Sequence, residues 1–127
     1  MDKNLYIHAS VGTPLRAFHD IMDKWDEKET TVIATSSQTR CEMWGESIDN
    51  ERQTIITTYQ GLRDVLNKVR NIDIMVYDNC ERIDEGMRRV LQMRRDTKHQ
   101  LFITRSKNAN AKMTANKIVP FIKEIRI

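Results

Sequence analysis

A chain of 127 residues has room for one hydrophobic core, and 39% apolar with 31% charged residues is the balance of a folded globular domain, not a disordered tail. No apolar run approaches the roughly 20 residues that span a bilayer, and Met1–Asn4 shows no signal-peptide pattern, so a cytoplasmic protein away from membranes is expected. The net charge of +3 hides an asymmetry: residues 1–80 carry 9 basic against 13 acidic side chains, and residues 81–127 carry 12 against 5.

Leu5–Ser10 reads as the first strand. Val11-Gly12-Thr13-Pro14 is a turn into a helix, because Gly permits unusual backbone angles and Pro suits a first helical turn. Leu15, Phe18, Met22 and Trp25 form one apolar stripe on that helix. Thr31–Thr35 is the second strand. Ser36 or Ser37 caps a short helix through Trp44, with Gly45 as its stop, and the polar Glu46–Gln53 segment is a loop. Thr54–Tyr59 is the third strand, rich in β-branched residues, and Gly61–Arg70 a helix with Leu62, Val65, Leu66 and Val69 on one face.

Ile72-Asp73-Ile74-Met75-Val76-Tyr77 is the strand around which the rest is organised. A near-continuous apolar run belongs to a strand buried on both faces, hence to a parallel sheet covered by helices. Asp78 and Asn79 follow at its C-terminal end, where open α/β sheets place ligands. A helix over about Asp84–Arg95 turns Met87, Val90 and Leu91 inward and Arg88, Arg89, Arg94 and Arg95 outward. Gln100–Thr104 is the fifth strand, Ser106–Lys117 a polar segment helical around Met113, and Phe121–Ile127 a last strand. The alternation predicts one α/β domain over residues 1–127.

Three strand ends stand together in this reading: Ala9–Arg16, Asp78-Asn79 and Thr104-Arg105-Ser106. In order and spacing they resemble the Walker A, Walker B and sensor positions of P-loop NTPases of the helicase and AAA+ branch. Ala34–Ser37 and Thr57–Leu62 resemble the additional motifs of DEAD-box-like helicases. The resemblance implies a three-layer sandwich around a mainly parallel five- to six-stranded sheet, with strand order 3-2-4-5-1-6. It also implies a vestigial phosphate site at Gly12, Thr13, Arg16, Asp78, Thr104 and Arg105.

The motifs depart from the family pattern where the chemistry resides. Walker A needs a Gly-rich loop to cradle phosphate, a Lys for the outer phosphates and a hydroxyl for Mg²⁺. Here Ala9 and Pro14 replace the two Gly, Leu15 the Lys and Arg16 the Ser/Thr. Asn79 stands where the water-activating acid belongs, and an amide cannot accept that proton. No catalytic residue and no cofactor is therefore expected, ATP with Mg²⁺ being disfavoured. Cys41 and Cys80 lack CxxC spacing and read as reduced thiols; His8, His19 and His99 are scattered, so no metal site is expected either.

The second candidate is a polyanion-binding face of Arg82, Arg88, Arg89, Arg94, Arg95, Lys98 and Lys107. Its partners would be nucleic acid or an acidic protein surface, and a homo-oligomer is compatible. The expected function is a non-catalytic P-loop-like module that binds nucleic acid or a nucleic-acid-processing protein in a regulatory role. The alternatives are a divergent ATPase completing its site at an oligomer interface with Arg16 or Arg105, and a Rossmann-like structural or assembly protein.

Overall fold

The computed structural model describes residues 4–8, 16, 18–19, 30–48, 53–94, 97–105, 110–119 and 123–126. The strands are β1 (Asn4–His8), β2 (Thr30–Thr35), β3 (Gln53–Thr58), β4 (Ile74–Asp78), β5 (His99–Thr104) and β6 (Lys123–Arg126). The helices are α1 (Gln38–Ser47), α2 (Tyr59–Lys68), α3 (Glu85–Met93) and α4 (Asn110–Ile118), with a 3-10 turn at Cys80–Arg82. Arg16, Phe18 and His19 are also helical; the turn at Gly12-Thr13 that precedes them lies outside the described residues, as do Arg95 and Lys107.

All six strands are parallel and lie in the order β3-β2-β4-β5-β1-β6. β4 is flanked by β2 and β5, with Val76 opposite Ile33 on one side and Leu101 on the other. A parallel sheet brings every strand's C-terminal end to one rim, so the segments after β2, β3, β4 and β5 meet there. Asp78 and Thr104 both end their strands at that rim.

The alternation along β4 divides the core. Ile74 and Val76 join Ile7, Phe18, Ile33, Trp44, Leu101 and Ile103 on the face that α1 covers. Met75 and Tyr77 join the side chains of α2, α3 and α4 on the other, with Leu62, Leu66, Met87, Leu91, Ala111 and Ala115. Each aliphatic side chain fully buried in this way contributes roughly 1.5–3 kcal/mol. Tyr77 stacks on Phe102 at 4.5 Å and donates its hydroxyl to Gln100, so it is a packing residue.

The element boundaries follow the caps. Ser37 Oγ accepts from Arg40 N and starts α1; Thr58 Oγ1 accepts from Gly61 N and starts α2; Asp84 Oδ1 accepts from Met87 N and starts α3. The cap at Thr58 places Tyr59 in the first turn of α2, where the sequence predicts the end of a strand. Gly45 does not stop α1. Its φ is not positive, and the helix runs on to Ser47, whose hydroxyl donates back to Met43 O.

Candidate functional site

Asp78 is completely buried, and its carboxylate is surrounded by donors. Oδ2 accepts from Thr35 Oγ1 at 2.6 Å, Arg40 Nε at 3.0 Å and Trp44 Nε1 at 3.0 Å; Oδ1 accepts from Arg40 Nη2 at 3.0 Å. Arg40 and Trp44 lie one turn apart on α1, so a single face of that helix delivers both the guanidinium and the indole. The neighbouring Phe18 ring meets Trp44 edge-on at 5.4 Å and closes the apolar side. The Asp78 carbonyl is also engaged, accepting from Tyr59 Oη at 2.6 Å.

The backbone turns sharply after Asp78. Asn79 takes the left-handed conformation, φ 53° and ψ 53°, and its Nδ2 donates to Ser36 Oγ at 2.9 Å. Glu81 in the 3-10 turn accepts from Thr104 Oγ1 at 2.8 Å. The end of β4 is thereby tied to the ends of β2 and β5.

Beside this cluster lies a groove of about 700 Å³ lined by Ser36, Ser37, Gln38, Thr58, Tyr59, Gln60, Arg82 and Asp84. Its walls are the starts of α1 and α2, and its far edge is the 3-10 turn with the cap of α3. The first turn of a helix carries unpaired backbone N–H groups and the positive end of the helix dipole. Arg82 adds a positive charge at an exposed position. Among the described residues Asp84 is the one carboxylate on the lining, and its Oδ1 is held by the first turn of α3.

Burial shifts several protons near this cluster. The Tyr59 hydroxyl is pushed up by burial and then by the negative groups at Cys80 and Asp78. The Cys80 thiol is pushed up by burial and then by Glu81; the Cys41 thiol is raised by burial, Glu42 and Asp78. These groups are proton-bearing at neutral pH, and neither thiol is an activated nucleophile.

Of the sequence-predicted phosphate site, Asp78 and Thr104 come together at the rim, Arg105 is exposed just beyond β5 and Arg16 is exposed on its helix. Asp78 is fully buried and is half of an ion pair with Arg40. The described members of the predicted polyanion face do not form one patch. Arg82 is at the groove, while Arg94 and Lys98 lie at the opposite end.

Arg94 does not point outward. Its Nη1 donates to Leu66 O at 2.8 Å and its Nη2 to Val69 O at 2.6 Å, which closes the C-terminal carbonyls of α2. Lys98 Nζ stands 3.5 Å from Asp73 Oδ1, and Arg89 pairs with Glu85 one turn away at 3.0 Å. Arg40, Trp44 and Glu81 were not singled out by sequence reasoning. Ser36 and Ser37 carried a readable signal, being hydroxyl residues between a strand and a helix; Thr58 was read within the third strand.

No protein-family model matches the chain, and no curated protein matches it in sequence. Among solved structures it is similar to the helicase domain of Pyrococcus furiosus Hef, with a TM-score of 0.69 at 13% identity. That similarity covers 98% of this chain and 35% of the other, so the chain spans about a third of the length of its structural neighbour. Likeness at this identity speaks to the fold: a mainly parallel α/β sheet of the helicase-domain type. Among the described residues, no helix is long and apolar enough to cross a membrane.

Proposed function

We propose that this chain is a non-catalytic nucleic-acid-binding module that holds phosphates in the groove between the starts of α1 and α2. The observation that carries this reading is the convergence of Ser36, Ser37, Thr58 and Arg82 on one concave surface beside two helix starts. Hydroxyls, first-turn amides and a guanidinium are the groups that contact a phosphodiester backbone without reading bases. The helicase-domain type of fold and the basic last third of the chain support the same partner class.

A Mg-nucleotide, which such a fold implies at this rim, fits the described acid poorly. Both Asp78 oxygens are occupied by protein donors, and a guanidinium stands where a cation would have to approach. Asn79 offers an amide in place of a base, and Leu15 has no charge to give. These features favour binding without hydrolysis, in a regulatory role, over an ATPase completed at an oligomer interface.

The test is fluorescence anisotropy with labelled single- and double-stranded oligonucleotides at low and moderate salt. Binding that weakens as salt rises, and about tenfold weaker binding by Arg82→Glu, are the expected results. Absence of binding by the wild type, or equal affinity for the variant, overturns the reading.

A further inference from the structure

We infer that Asp78 is the positioning residue of the groove, holding both of its helical walls, and not a metal-holding acid. This rests on the nucleic-acid reading only for the identity of the ligand. The side chain of Asp78 holds α1 through Arg40 and Trp44, and β2 through Thr35, the residue that immediately precedes the groove-lining Ser36 and Ser37. The carbonyl of Asp78 holds the first residue of α2 through Tyr59 Oη. The next residue, Asn79, holds Ser36 itself.

Both walls of the groove are therefore referenced to one buried point at the end of the central strand. The geometry has a chemical consequence at Ser36. Its oxygen accepts from Asn79, which leaves its O–H for donation, and the residue lines the groove. An acid in this location with only one or two protein donors would be open to a cation. With four donors, two of them from a fixed guanidinium, it organises protein instead.

The roles separate in Asp78→Asn, which keeps the size of the side chain and removes the charge that holds Arg40. Amide hydrogen exchange on the full chain reads the walls directly, at Arg40 and Cys41 in α1 and at Gly61 in α2. Exchange is expected to rise at Arg40 and Cys41, while Gly61, whose helix is held through a backbone carbonyl that the substitution keeps, and the middle of α3 stay unchanged. Affinity for a labelled oligothymidylate is expected to fall about tenfold. Ser36→Ala is expected to weaken binding in the wild type and to add nothing in the Asp78→Asn background, since the hydroxyl is already misplaced.

Exchange unchanged at Arg40 and Cys41, a uniform rise throughout the chain, or full additivity of the two substitutions overturns the assignment. Where Asp78→Asn fails to fold, Arg40→Lys keeps the charge, loses the two-point geometry and is read by the same exchange and additivity criteria. If the wild type binds no oligonucleotide, the nucleic-acid reading falls, and the exchange data alone decide whether Asp78 holds the walls.

Discussion

The guanidinium of Arg40 meets the carboxylate of Asp78 edge to edge, with Nε 3.0 Å from Oδ2 and Nη2 3.0 Å from Oδ1. Two parallel N–H donors on one carboxylate fix orientation as well as distance. The acid is fully buried, whereas the Arg40 side chain keeps 19% of its surface exposed, so solvent partly screens the cation but not the anion.

The first prediction follows from that imbalance. Arg40→Ala leaves a buried carboxylate with only Thr35 and Trp44 as donors. Removing one partner of a buried pair costs about 3–5 kcal/mol, and the partial exposure of Arg40 places this case near the lower end. Urea unfolding with an unchanged m-value and a lowered midpoint would show it. A loss below about 0.5 kcal/mol, the range of ordinary surface substitutions, would mean that the pair contributes little.

The arginines of α3 and its end divide into two kinds. Arg94→Ala frees the carbonyls of Leu66 and Val69 and is expected to cost about 1–3 kcal/mol, as charged donors to partly buried carbonyls do. Arg89→Ala breaks an exposed pair with Glu85, which contributes no more than about 0.5 kcal/mol. Thermal melts of the two variants side by side check the ranking. Equal losses would contradict it. The same contrast means that reversing the charge of Arg94 together with its neighbours does not leave the fold untouched, although the sequence places all of them on the outer face.

That contrast shows what the sequence reveals and what it hides. β4 was legible because Ile74–Tyr77 is a short run of strand length, apolar on both faces, as a central parallel strand is. The cap at Ser37 was legible because capping is local, three residues from donor to acceptor, whereas Thr58 read as strand because its β-branched neighbours carry the strand pattern through to Tyr59. Arg40 and Trp44 were not. Their partner lies 38 and 34 residues away, and nothing local distinguishes an arginine destined for a buried carboxylate from one facing water. Arg94 has the helical spacing of an outward residue, but it follows the last turn of α3, where the chain bends and periodicity no longer predicts direction.

The buried acids near the core set an alkaline limit to stability. Tyr59 and Tyr77, ordinarily at 10.0, and Cys41 and Cys80, ordinarily at 9.0, are all raised in the folded state, chiefly by burial. In the unfolded chain these groups release protons at their ordinary values while the folded chain still retains them. The folded state then binds more protons, so stability falls as pH rises. The stabilisation is complete below about pH 9 and is progressively lost above it, the thiols acting first and the tyrosines above about pH 10. Cys80→Ser and Tyr77→Phe should each flatten part of this decline in urea midpoints measured from pH 7 to 11. A flat wild-type profile across that range would refute the account.

Asn79 combines a backbone requirement with a side-chain bond, and two substitutions separate them. Its φ of 53° lies in the left-handed region, which costs a residue bearing a Cβ about 1–2 kcal/mol and glycine almost nothing. Asparagine adopts this conformation more readily than alanine, and its amide also donates to Ser36 Oγ across the rim. Asn79→Gly loses that bond but relieves the backbone, so its stability should stay within about 1 kcal/mol of the wild type. Asn79→Ala loses the bond and keeps the strain, and should be less stable than the glycine variant by about 1 kcal/mol. Asn79→Glu would restore an acid after Asp78, yet it places a longer side chain at the same left-handed position, so it should be destabilised like the alanine variant. Chemical denaturation of the three variants gives the order. Alanine as stable as glycine would show that the turn after β4 relaxes out of the left-handed region, removing the geometric link between Asp78 and Ser36.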